Sequence, residues 1–344
     1  MHFASDNIAG VHPKIMEAMM AANTGVAKSY GEDDLTREFE NRLRDIFETD
    51  LVAFPIATGS AANCLSLSAI TPPWGAIYCH EHAHIFDDEC CGPEFYTGGA
   101  KLYTVEAEHG RLTPAGLKQG LERFVVGFDH NPQPAGVSLT QCTEYGATYS
   151  LDRIGELSEL AHGHDCKVHM DGARFANALA HLDCSPADMT WKSGVDVLSF
   201  GATKNGAMAA EAVVFFDTDL AKDFIFRRKR AGHLFSKMRY LSAQLVAYLT
   251  DDLWLGNARH ANRAARRMHD GLVQINSVSF PHPVEANELC VCLPEGAAEK
   301  LRADGASFYD MDAVGRNAVR LVCSFATTDE EVDRFIEICR TSAT

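Results

Sequence analysis

Val195-Asp196-Val197-Leu198-Ser199-Phe200-Gly201-Ala202-Thr203-Lys204-Asn205-Gly206 decides how the chain is read. Its apolar first half has the composition of a strand over Val195–Phe200. Its second half is a turn of small residues carrying Lys204. Gly201 and Gly206 bracket the lysine, which suits a tight turn and close approach of a ligand. A surface lysine more often sits among charges on a helix face. Lys204 has Thr, Asn, Gly, Ala and Met for neighbours, and no other charged residue stands between Asp196 and Glu211. Such surroundings lower an amine pKa from about 10.4 and turn the lysine into a nucleophile able to form a Schiff base.

The 344 residues can bury a large core, and 46% hydrophobic with 23% charged residues is ordinary for a globular protein. A formal net charge of -16 argues against nucleic acid or an anionic membrane as the main partner, since both need clustered positive charge. Met1-His2-Phe3-Ala4-Ser5-Asp6 has no basic region followed by an apolar stretch, so no signal peptide is expected. Apolar runs are too short to span a bilayer, and a cytoplasmic location is expected. The eleven cysteines are scattered without a C-x-x-C, which fits reduced thiols used as small core residues.

Outward from Lys204, strand and helix patterns alternate. Strands are expected at Leu51–Ala57, Ala76–Cys79, Leu102–Val105, Gly136–Gln141, Lys167–Met170 and Ala212–Phe216. Helices are expected at Ala61–Ile70, Leu112–Phe124, Leu151–His162 and Arg174–His181. This is the signature of an α/β fold with a mainly parallel sheet covered on both faces. Residues 220–250 read as one or two long helices, with Arg227-Arg228-Lys229-Arg230 in the middle as a solvated face. After Trp254 the texture changes to a smaller α+β unit. The expected division is an N-terminal arm and helix over 1–30, a large domain over 31–246 and a small C-terminal domain over 247–344.

In open α/β sheets ligands bind beyond the carboxyl ends of the strands. Thr58-Gly59-Ser60 opens a helix there, and free N–H groups with the helix dipole favour a phosphate, although many helices simply begin with such a cap. Asp171, in His169-Met170-Asp171-Gly172-Ala173-Arg174, ends the strand before that of Lys204. It reads either as a helix cap or as a carboxylate held against a ligand cation. A carboxylate for a ring nitrogen, a lysine for an imine and a helix N-terminus for a phosphate are the supports that pyridoxal phosphate needs. His80, His82 and His84 alternate and could ligate a metal if the segment were extended, but the spacing matches no closed site; no metal is assigned. Otherwise one histidine stacks on a cofactor ring.

Taken in order, Ser5-Asp6-Asn7-Ile8-Ala9-Gly10, Tyr30-Gly31-Glu32-Asp33, Thr58-Gly59-Ser60-Ala61-Ala62-Asn63, His84, the Asp171 and Lys204 motifs and Asn317-Ala318-Val319-Arg320 resemble the L-threonine aldolase family. The segments at 71–75 and 188–192 look closer to its bacterial phenylserine aldolase branch. The resemblance covers nearly the whole chain and implies the fold of pyridoxal-phosphate enzymes of fold type I. It implies that Lys204 holds the cofactor as an internal aldimine, that Asp171 faces the pyridine nitrogen and that His84 stacks on the ring. Thr58, Gly59 and Ser60 would hold the phosphate. Ser5, Arg174 and Arg320 would bind the substrate carboxylate. Tyr30 and the basic run, Arg230 included, would approach from a neighbouring subunit of a homo-oligomer, a dimer of dimers.

One departure stands out. A Thr-His-Asn-Gly stretch of many threonine aldolases is replaced by Thr143-Glu144-Tyr145-Gly146, so that Glu144 occupies the histidine position. The expected reaction is retro-aldol cleavage of L-β-hydroxy-α-amino acids to glycine and an aldehyde. His84, Glu144 or a water between them is the base for the β-hydroxyl proton. The alternatives are another activity on the same scaffold, such as β-elimination or transamination, a metal hydrolase built on the histidines, or a non-catalytic binding protein.

Overall fold

The computed structural model describes residues 1–312 and 314–343. Its strands in chain order are β1 (Val52–Ile56), β2 (Gly75–Cys79), β3 (Lys101–Thr104), the hairpin strands β4 (Ala107–Glu108) and β5 (Arg111–Leu112), β6 (Gln133–Thr140), β7 (Lys167–Gly172), β8 (Val197–Gly201), β9 (Glu211–Phe215), β10 (Glu288–Cys292), β11 (Tyr309–Asp310) and β12 (Ala318–Val322). The central sheet has the order β1-β9-β8-β7-β6-β2-β3. Its pairings are parallel from β8 through to β3, while β9 runs antiparallel to both β8 and β1.

Alternation across the sheet explains the unbroken apolar runs. Leu198, Phe200 and Val214 join one core with Val137, Val168 and Phe175. Val197, Val213 and Phe215 point the other way, into a core shared with Ile56, Ile77, Cys79 and helix Gly59–Ile70. Both faces are covered, so most strand positions are apolar on either side, and the buried polar ones, such as Ser138, His169 and Ser199, are hydrogen-bonded to one another. The helix Gly59–Ile70 is buried almost all round, which is why it is built of Ala, Ser, Cys and Leu and carries no charge.

A second sheet, β10-β12-β11, has a core of its own, formed with Met268, Leu272, Leu301, Val332 and Phe335. Phe3 of the N-terminal arm belongs to it, and the arm is fixed by Phe3 N donating to Ser307 O at 2.9 Å. Helix Leu253–Leu272 joins the two halves: Trp254 and Ala258 pack in the large core, and Ala264, Ala265 and Met268 in the small one.

One local expectation changes. The helix expected from Leu112 begins at Pro114, because Arg111–Leu112 pairs back on Ala107–Glu108 around Gly110, whose φ is +81°. Of the one or two helices expected over 220–250 there are two, Phe224–Arg230 and Arg239–Tyr248, with Gly232 in the left-handed region between them.

Candidate active site

Parallel pairing places the carboxyl ends of β2, β6, β7 and β8 on one edge, and β1 ends there too, because it runs antiparallel to β9 as β8 does. The loops after Ile56, Cys79, Thr140, Gly172 and Gly201 therefore meet. They carry Thr58-Gly59-Ser60, His84, Glu144, Arg174 and Lys204. Gly201 allows this closeness: a Cβ there would lie 2.6 Å from Ala173 O and 2.7 Å from Gly172 O.

Lys204 sits in the single turn Thr203–Asn205, which its neighbours hold rigid. Asn205 donates to Tyr248 Oη and Trp254 O, both at 2.8 Å, and Asn257 donates to Asn205 O at 2.9 Å. Among the described residues the Lys204 amine has no hydrogen bond or ion pair. Its surroundings are nevertheless charged, contrary to the expectation from its sequence neighbours. Asp6, His84 and Glu211 all stand near enough to interact with its charge. Glu211 is the first residue of β9, opposite Gly201 and Ile56. Its buried Oε2 accepts from Ala202 N at 2.9 Å. Burial pushes this carboxyl up to about 7, against the pull of Thr203, Ala202 and Lys204.

Asp171 stands within β7, one strand from β8, rather than as a helix cap. Its Oδ2 accepts from Asn63 Nδ2 at 2.7 Å and its Oδ1 from Ala173 N at 3.0 Å. Asn63 Nδ2 also lies 2.9 Å from Glu89 Oε1, which in turn meets His84 Nδ1 at 2.9 Å. Two acids, an amide and an imidazole thus form one chain. The bond to Glu89 raises the His84 pKa, with burial opposing and Asp171 adding to the rise. Beneath them His169 bridges Ser138 and Ser199, each at 2.9 Å, and burial lowers its pKa to about 4, so the ring is neutral.

Glu144 Oε1 accepts from His84 N and from Thr140 Oγ1, both at 2.9 Å, while its Oε2 is buried without a partner. Burial pushes this carboxyl up to about 7. The loop is set by Gly146, with φ +76°, where a Cβ would stand 2.3 Å from Glu288 O.

The arginines meet on the N-terminal arm. Arg174, which immediately precedes helix Phe175–Leu182 instead of lying in its first turn, donates from Nε and Nη2 to Asp6 at 2.8 and 3.2 Å. Its Nη1 lies 3.1 Å from the fully buried Glu288. Burial works against both charges of the Arg174–Asp6 pair, yet the pairing wins: Arg174 is raised and Asp6 lowered. Arg320 lies 3.6 Å from Glu288 and donates to Ala4 O at 3.3 Å. Ser5, between Ala4 and Asp6, caps the turn by accepting from Asn7 N at 3.1 Å. Ser5, Arg174 and Arg320 are thereby brought together.

At the helix start, Thr58 Oγ1 takes the N–H of Ala61, which leaves those of Gly59 and Ser60 open. Tyr30 and Arg230 make no contact with these groups among the described residues. Tyr30 is exposed with Lys229 over its ring at 5.1 Å, and Arg230 is exposed. Within the basic run, Arg228 is buried over the Phe54 ring at 4.8 Å, so this part of the run is not the solvated face expected. The histidine segment is not extended: it turns into helix His84–Asp87, and His82 pairs with Asp87 and His84 with Glu89.

With this geometry in view, the likeness to known proteins is specific. Residues 2–295 match the family model described as beta-eliminating lyase. The chain belongs to the beta-eliminating lyase family. It is 44% identical to a low specificity L-threonine aldolase of Pseudomonas aeruginosa, over 98% of this chain and 96% of that one. The structure superposes on the Leishmania major threonine aldolase with a TM-score of 0.93 and 26% identity, covering 100% of this chain and 99% of that one. A serine palmitoyltransferase of Sphingomonas wittichii, 14% identical, shares the fold with a TM-score of 0.73, covering 99% and 86%. The architecture is that of fold type I pyridoxal-phosphate enzymes.

Asp6, Asn63, Glu89, Glu211 and Glu288 are the members of this cluster that sequence reasoning did not single out. Asp6 and Asn63 lie inside motifs already quoted, and Glu89 follows His84 by five residues. Glu211 opens β9 on this sheet edge, which brings it near Lys204, and Glu288 opens β10 of the second sheet, within reach of the arginines.

Proposed function

We propose that the chain is a pyridoxal-phosphate-dependent aldehyde-lyase that cleaves L-β-hydroxy-α-amino acids of the threonine, allo-threonine and phenylserine type to glycine and an aldehyde. One observation carries this function. A chain that follows a low specificity L-threonine aldolase over nearly its whole length presents a lysine, unpaired among the described residues, and a hydrogen-bonded carboxylate where two adjacent parallel strands end.

The residues fit the cofactor. A Cβ on Gly59 would meet nothing within 4 Å, so there is room before the helix for a phosphate to take the N–H groups of Gly59 and Ser60, with Thr58 beside them. Lys204 would hold the cofactor through its aldehyde, Asp171 would meet the ring nitrogen, and His84, hydrogen-bonded to Glu89, would pack on the ring. Pyridoxal phosphate, when bound, supplies the electron sink for the negative charge left at Cα as the Cα–Cβ bond breaks.

The chain's own residues do the rest. Ser5, Arg174 and Arg320 bind the substrate carboxylate and fix the torsion about Cα, with Asp6 and Glu288 holding Arg174 in place. The β-hydroxyl proton passes to Glu144, His84 or a water between them. A carboxyl raised to about 7 accepts and returns a proton near neutral pH. Glu144 holds His84 N through one oxygen, and its other oxygen has no hydrogen-bond partner among the described residues.

We place the enzyme in the cytoplasm as a homo-oligomer, a dimer of dimers in which Tyr30 and Arg230 complete a neighbouring site. Free cysteines and the exposed Met16, Met20 and Val26 support this, as does an apolar groove lined by Ala18, Ala21, Ala22, Ala243 and Val246. No helix among the described residues is long and apolar enough to cross a membrane. The test is a screen of threonine, allo-threonine and phenylserine. Aldehyde with equimolar glycine is the expected product. Pyruvate and ammonia from serine would instead favour the β-elimination for which the family is named, and transfer of the amino group to a keto acid would indicate transamination.

A further inference from the structure

Behind the arginine clamp lies a cleft of about 290 Å³, between helix Leu253–Leu272, the end of helix Phe175–Leu182 and the segment 284–286. Arg259, Arg263 and Arg266 line it. Their spacing of four and three residues puts them in one stripe on one face of the helix. Among the described residues none of the three has a hydrogen bond or ion pair. Arg267 on the same helix, by contrast, is paired with Asp333 at 2.8 Å and Asp329 at 3.5 Å. On a chain with 47 acidic residues and a net charge of -16, these three exposed arginines, aligned without an acid, make a local positive stripe that suits an anion.

The remaining polar groups of the cleft suit one. Glu285, its one carboxylate, is engaged elsewhere: it accepts from Thr148 N at 2.7 Å and Oγ1 at 3.1 Å, and lies 3.7 Å from Arg111. Asn262 and Asn177 exchange hydrogen bonds at 3.0 and 2.9 Å, tying the two helices together beneath the cleft. His181 adds an imidazole at the rim.

We propose that this cleft binds a compact anion carrying two linked phosphate groups. Guanidinium forks match phosphate oxygens in pairs. From Arg259 to Arg266 the helix rises about 10 Å, more than one phosphate can bridge and within reach of two. The small volume favours a small anion over a protein or nucleic-acid segment. The cleft is separate from the helix start at Gly59 and does not depend on the activity proposed above.

Calorimetric titration of the full-length, cofactor-loaded enzyme with inorganic pyrophosphate, ADP and adenosine tests this at fixed ionic strength. Loading the cofactor keeps the probe from the phosphate position at Gly59. The expected result is saturable binding of pyrophosphate, one per protomer, weakened about tenfold for each arginine removed in R259A and R259A/R263A. R267A, on the same helix, should bind as the parent does. Tighter binding of ADP than of pyrophosphate would identify a nucleotide as the source of the diphosphate, and equal binding the inorganic anion; both support the site. Absence of saturable binding overturns the proposal. So does equal binding by R259A/R263A, or equal loss in R267A, which would report bulk charge only. Unchanged cofactor absorbance of the variants verifies that they are folded.

Discussion

Replacing Glu144 by glutamine separates the proton from the shape of the side chain. Glutamine keeps an oxygen for His84 N and Thr140 Oγ1, now both at 2.9 Å from Oε1, but cannot take up a proton. The carboxyl is displaced from 4.5 to about 7 by burial. At about 1.36 kcal/mol per pH unit, that displacement is about 3 kcal/mol of penalty on the charged form. The sign follows from linkage. The folded pKa lies above the unfolded one, so the group's contribution is intact below about pH 4.5 and is lost as the pH rises through about 7. E144Q carries no charge to bury and escapes this loss. Above about pH 8 it should be more stable than the parent by up to about 3 kcal/mol, the difference vanishing near pH 4.5. Urea denaturation across this range, followed by fluorescence, measures it. Over the same pH range E144Q should cleave threonine about 100-fold or more slowly, the usual cost of losing a general base, while binding cofactor normally. A variant that cleaves at the parental rate would refute the proton role. An equal stability difference at every pH would refute the raised carboxyl.

Further outcomes follow from single contacts. K204A should lose the yellow absorbance of a lysine-linked cofactor and all aldehyde production; a borohydride-bleachable band that survives would remove Lys204 from the site. N63L takes the shared donor from between Glu89 and Asp171. It should destabilise the fold by about 1–3 kcal/mol and weaken cofactor retention on dialysis, and unaltered retention would deny the chain its positioning role. D6N leaves buried Arg174 with Glu288 as its remaining acid, and should cost about 3 kcal/mol in chemical denaturation while raising KM for threonine more than it lowers kcat. G146A meets Glu288 O and a left-handed φ together, so its melting temperature should drop by several degrees; an unchanged value would mean that the 143–146 loop is free to move.

The large sheet was legible because its chemistry is repetitive. Strands buried on both faces are mostly apolar, helices between them are amphipathic or small, and both patterns survive in the linear sequence. The antiparallel direction of β9 was not legible, because a buried apolar strand reads alike in either direction. That one feature has the largest effect on Lys204. It returns Glu211 to the edge where Gly201 ends, and places a buried carboxyl beside an amine whose sequence neighbours are all uncharged.

The same limit explains Asp6, 198 positions from Lys204 in the chain yet close enough to interact with its charge. Charge acts through space, so the surroundings of a nucleophile are set by whichever segments the topology returns to it. Sequence neighbours report only backbone demands: the tight turn was legible at Gly201 and Gly206, while the close approach read there as a ligand's is at Gly201 that of the neighbouring backbone at Gly172 and Ala173. The acids around Lys204 and the arginines therefore do two jobs that no local motif records. Asp6 and Glu288 hold Arg174 in place, and Glu211 fixes the N–H of Ala202 at the base of the lysine turn. Reactivity at Lys204 thus rests less on a neutral setting than on a well-anchored turn whose amine has no hydrogen bond or ion pair among the described residues.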